Sequence, residues 1–86
     1  MKVAVWNLGE PVGIIEGSDI GYSYFDPEMK PMDNTKKQEV STLLTNVGTY
    51  YHQTKEAKTP QDVLSLLVER GCGYWEFQEI ELDKQK

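Results

Sequence analysis

Short hydrophobic runs occupy the first 26 positions, the second of them apolar on both faces, and turn-forming residues separate them. Val3 to Trp6, Val12 to Glu16 and Ile20 to Phe25 read as three strands. Asn7-Leu8-Gly9-Glu10-Pro11 and Gly17-Ser18-Asp19 supply the turns between them. Gly13, inside the second run, leaves room for a close neighbour. Asp26-Pro27 ends the third strand, because proline restricts the residue before it and offers no ladder donor. From Pro27 to Asn34 the mixture of proline, methionine and charge predicts an irregular loop.

The hydrophobic period then changes from two to that of a helix. Val40, Leu43, Leu44, Val47 and Tyr51 recur on one helical face, and Thr35 with Gln38 fits a capping box at its start. The helix is expected to reach about Gln53. Gly48 opposes it by about 1 kcal/mol relative to alanine, and Thr49 to His52 has strand propensity, so a helix ending near Gly48 before a short strand is the alternative. A second helix is clearer: Thr59 caps it, Pro60 suits its first position and Asp62 complements its dipole. Val63, Leu64, Leu67 and Val68 form its core face, Arg70 lies at its negative end, and Gly71 can close it with positive φ. In the strand that follows, Trp75 and Phe77 share one face whereas Ile80 and Leu82 share the other; a bulge near Gln78-Glu79 would bring all four to the core. Core packing is also expected of Trp6 and Phe25. These elements predict an α+β two-layer sandwich over residues 1–86, in the order β-β-β-α-α-β. Its sheet is mostly antiparallel, of about four strands, with two helices on one face.

Length and composition narrow the functional classes. A chain of 86 residues suits one domain with a thin stability margin, which dimerisation would widen. No apolar run approaches the ~20 residues of a membrane span, and the N-terminal segment lacks a signal-peptide pattern, so a cytoplasmic location is expected. A single cysteine and a single histidine cannot complete a Cys/His zinc site. The formal charge of -5 is concentrated at the two ends, with a mildly basic middle between residues 36 and 58. That balance opposes direct binding to nucleic acid and favours a basic protein partner.

Residues with chemical potential fall into two groups. Cys72, between two glycines after a helix end, reads as a structural thiol, since the negative dipole end disfavours a thiolate. The glycines at positions 9, 13, 17 and 21 punctuate strands and precede no helix that could hold phosphate. No serine sits in a Gly-x-Ser-x-Gly frame. No catalytic residue, metal ligand or cofactor is therefore assigned. The first candidate group is an aromatic and acidic surface formed by Tyr22, Tyr24, Tyr74, Glu76, Glu79 and Glu81, suited to a basic protein. The second is Tyr50, Tyr51, His52 and Lys55, which could hold a small signalling nucleotide.

The ending from Asp62-Val63-Leu64-Ser65-Leu66-Leu67 through Gly71 to Trp75-Glu76-Phe77 looks like that of small viral ring nucleases, which bind and degrade cyclic oligoadenylates. The likeness covers about a quarter of the chain, in capping and packing positions. That family's Gly-His element before its central helix is replaced here by Gln38-Glu39-Val40-Ser41-Thr42, so no catalytic role passes to any residue. The leading expectation is a small, acidic, non-catalytic homodimer that binds a basic protein. An inhibitor or accessory protein of viral or mobile-element origin would fit that size and acidity. A nucleotide-binding protein or hydrolase is the alternative.

Overall fold

The computed structural model describes residues 1–80. Strands β1 (Lys2–Asn7), β2 (Glu10–Gly17) and β3 (Tyr22–Phe25) form a meander, followed by helices α1 (Asn34–Gln53) and α2 (Pro60–Arg70) and strand β4 (Trp75–Glu79). The sheet is antiparallel throughout, in the order β3-β2-β1-β4. The chain therefore is the α+β sandwich that its hydrophobic periods predict. The return of β4 to the side of β1 makes β3 and β4 the two edges.

Alternation divides the sheet into two unlike faces. Val3, Val5, Ile15 and Phe77 point toward the helices and pack with Val40, Leu44, Leu64 and Leu67, all buried. Two glycines on this face admit close neighbours, Gly17 from the helical layer and Gly13 from the end of the adjoining strand. An added Cβ on Gly17 would collide with Leu64, and one on Gly13 would collide with the Phe25 carbonyl. Ala4, Trp6, Ile14 and Phe25 belong to the opposite face: Ile14 pairs with Ala4 and Phe25, and Trp6 pairs with Glu76. Ile14 is only 9% exposed. Trp6 and Phe25 are half-buried and lie outside the core cluster, contrary to their expected core role.

Helix α1 continues through Gly48 to Gln53, so the short strand does not form. Leu44 and Tyr51, on either side of Gly48, anchor both flanking turns in the core, and tertiary packing outweighs the glycine's propensity cost. Its start differs from the sequence expectation. The Asp33 carboxylate accepts from the Lys36 amide at 3.3 Å and caps the helix in place of the Thr35 box. Helix α2 begins as expected, with a reciprocal bond between the Thr59 and Asp62 side chains and backbones and Pro60 in its first turn. Val63, Leu64 and Leu67 are buried, while Val68 is partly buried against them.

Strand β3 starts at Tyr22 rather than Ile20. A turn closed by the Ser18 amide on the Gly21 carbonyl leaves Ile20 94% exposed. Strand β4 has no bulge: its register against β1 runs uninterrupted from Asn7 opposite Trp75 to Val3 opposite Glu79. Phe77 is therefore in the core while Ile80 is exposed. Leu82, the fourth residue of that expectation, lies outside the described residues. The sheet's register shift occurs instead between Val5 and Trp6, where β1 meets β2.

Candidate functional site

Strand β4 carries the acidic candidates at an open sheet edge. Glu76 and Glu79 are exposed, but their opposite parity places Glu76 with Gln78 on the helix-free face and Glu79 with Phe77 on the other. The acids therefore flank the edge instead of making one flat patch. Between this edge and the last turn of α2 runs a cleft of about 410 Å³, lined in part by Leu67, Val68, Arg70, Glu76 and Gln78. Glu81 lies outside the described residues.

Tyr74 precedes β4 in a turn where Gly73 adopts positive φ, and it is 75% exposed. Its carbonyl accepts from the Leu8 amide at 3.0 Å, which ties this turn to the β1–β2 hairpin tip. Leu8 has φ 54° and Gly9 φ 81°. Two consecutive positive φ values are what a type I′ hairpin requires, and asparagine or glycine normally supplies them. Leucine there is conformationally costly and is also 69% exposed. Leu8 is hard to single out in the sequence because it lies between turn residues; its one visible signal is an apolar residue directly before Gly9.

Tyr22 and Tyr24 are less available than the spacing suggested. They lie 6.3 Å apart between ring centroids and are packed partly against the core. Burial, reinforced by the neighbouring Tyr24, pushes the Tyr22 phenol up to about 12, and burial also raises Tyr24. The Lys37 ammonium sits 5.9 Å from the Tyr24 ring centre. Both rings thus join the sheet to the helical layer, with only their outer parts facing solvent.

The Tyr50 and Tyr51 rings meet edge to face, with centroids 5.3 Å apart. Successive helical positions are rotated by about 100°, and of Tyr50, Tyr51 and His52 only Tyr51 is buried in the core. Tyr51 is buried, with the Arg70 guanidinium 5.5 Å from its ring centre, whereas Tyr50 is 60% exposed. Arg70 also bonds Glu56 at 2.8 Å and holds that carboxyl below its ordinary range, with help from the Thr54 hydroxyl. Exposed His52 borders a cleft of about 230 Å³ with Tyr22, Thr49 and Lys58, between α1 and the start of α2. Lys55 lies in the interhelical turn with φ 65°. Among the described residues, no group of three or more His, Cys, Asp or Glu side chains could hold a metal, and no helix is long and apolar enough to cross a membrane.

A shallow cleft between α1 and the start of β4 gathers residues that no sequence motif marks as a site. Asn7, Thr35, Gln38, Glu39, Thr42 and Trp75 line its volume of about 510 Å³. The four α1 residues have the spacing i, i+3, i+4 and i+7, a polar stripe legible in the chain once α1 was placed. Comparisons with protein families, curated proteins and solved structures gave no match to this chain.

Proposed function

We propose that this protein is a non-catalytic binding module that presents the β4 edge and the adjoining hairpin tip to a basic protein partner. The observation that carries this reading is the position of β4. It is an edge strand whose outer side, beyond the Cys72–Trp75 bridge at its start, is unpaired among the described residues; its acids are exposed, and the exposed side chains of Tyr74 and Leu8 stand beside it. Unpaired edges can accept a partner's strand, while flanking acids oppose self-pairing and favour a basic sequence. Leu8 strengthens the reading, since an exposed leucine in a left-handed conformation serves contact better than folding. The acidic balance of the whole chain adds long-range attraction.

A homodimer belongs to the same proposal. The helix-free face keeps Trp6 and Phe25 half-buried around the buried Ile14, and a second copy could cover their exposed parts. Light scattering across a wide concentration range should give twice the chain mass; a monomer at every concentration removes this part. For the module itself, bound proteins captured from lysate should be enriched in basic sequences and released by salt. Hydrogen exchange on an isolated complex should show protection of the β4 amides. The double variant Glu76→Lys/Glu79→Lys should lose the bound proteins while retaining its fold. Unchanged capture by that variant, or protection confined to another surface, would remove the proposal.

A further inference from the structure

A basic partner's cations gain little from acids on an open strand, where exposed ion pairs contribute about 0–1 kcal/mol. The cleft between α1 and β4 surrounds its own exposed acid, Glu39, with side-chain amides and an indole. Asn7 and Trp75 are register partners across β1 and β4, so one wall places an indole beside an amide. The facing wall is the stripe of Thr35, Gln38, Glu39 and Thr42. Every polar side chain named in this lining can accept a hydrogen bond, Glu39 carries its charge, and no lysine or arginine among the described residues lines it. The ion pairs among the described residues engage Glu28, Glu56 and Glu69, leaving Glu39 outside them. Lys37 lies over Tyr24 instead.

These groups match one cation in particular. A guanidinium is planar, always charged, rich in donors, devoid of acceptors, and stacks on aromatic faces. An ammonium brings fewer donors and a tighter water shell, while an anion would meet Glu39 unfavourably and a neutral ligand would leave its charge uncompensated. We propose that the cleft seats an arginine side chain of the basic partner, stacked on Trp75 and held by Glu39 with the Asn7 and Gln38 amides. This assignment rests on the binding-module reading, and supplies that reading with a specific anchor.

The test is an NMR titration of the full chain with end-blocked Gly-Arg-Gly, Gly-Lys-Gly and Gly-citrulline-Gly peptides. The arginine peptide should shift the Trp75 indole N–H and the Asn7 and Gln38 side-chain amides. The lysine peptide should bind more weakly, and citrulline, which keeps the shape without the charge, should leave those signals in place. Glu39→Gln, at an exposed helical position, should weaken the arginine peptide by up to about fivefold, as expected for losing one exposed ion pair. Equal shifts with citrulline, shifts outside the cleft, indifference to Glu39→Gln, or no shift at tens of millimolar peptide would each overturn the assignment. The two readings fail differently. A captured basic protein that protects β4 without moving the cleft signals removes only the arginine seat. Arginine binding in the cleft, without any basic protein protecting β4, removes the module reading and leaves the cleft.

Discussion

Gly13→Ala should destabilise this protein far more than one methyl group suggests. Gly13 lies opposite Val5 on the helix-facing side of β2. An alanine Cβ there would collide with the Phe25 carbonyl oxygen and come within 2.5 Å of the Met32 terminal methyl. Met32 can turn aside, because its side chain is unbranched. The carbonyl belongs to the backbone of β3, so relief requires that strand to move away from β2. Overpacking costs about 1–3 kcal/mol, and a clash that no rotamer change can relieve belongs at the upper end. The restricted unfolded chain of an alanine variant offsets about 0.4–1 kcal/mol. The expected net loss is about 2 kcal/mol, or a midpoint about 1–2 M lower in urea for a small domain. Gly48→Ala is the matched control. Its Cβ would stand 3.7 Å from Val63 Cγ2, an ordinary contact inside α1, so it should stabilise by about 0.5–1 kcal/mol. Equilibrium urea unfolding, followed by tryptophan fluorescence and helical circular dichroism, measures both. A Gly13→Ala midpoint within about 0.3 M of the unmodified protein, or a lower midpoint for Gly48→Ala, would refute this account of the sheet packing and the helix.

Other perturbations test separate features. Thr59→Ala removes the hydroxyl that accepts from the Asp62 amide at 3.2 Å and should cost about 1 kcal/mol, read as a lower melting temperature. Leu8→Asn places a residue tolerant of positive φ at the hairpin tip and should raise stability by about 0.5–1 kcal/mol, while weakening capture of a partner that contacts Leu8. Because the folded state holds the Tyr22 proton up to about 12, its contribution is full below a pH of about 10 and declines as pH rises toward that folded value. Urea midpoints measured across that interval should fall, less steeply in Tyr22→Phe. The sign reverses for Glu56, whose carboxyl is held low first by Arg70 and then by Thr54. Its contribution is present above the ordinary carboxylate range and disappears as pH falls through the folded value, so Glu56→Gln should flatten part of the acid limb of a melting-temperature profile.

The local signals of this chain were strong where one short segment contained its own explanation. Thr59, Pro60 and Asp62 specified the start of α2 because a cap, a fixed φ and a first-turn acid act within four residues. The short turn-bounded hydrophobic runs and the helical period likewise determined the α+β class. They could not decide between Asp33 and Thr35 as the cap of α1, since both side chains suit that place and the path of the incoming loop selects one. Nor could they show that β4 keeps its register, because a bulge depends on the partner strand as much as on the bulged one. The candidate surface divides in the same way. Tyr74, Glu76 and Glu79 were recognisable as polar or amphipathic residues beside a strand, but only the pairing of β4 with β1 made that strand an edge. The cleft of Asn7, Gln38, Glu39 and Trp75 joins residues separated by most of the chain. Sequence determined the elements and their apolar faces, which arise from interactions a few residues apart. Tertiary structure decided which edge stayed open and which polar groups met across it, because both depend on how those faces were brought together.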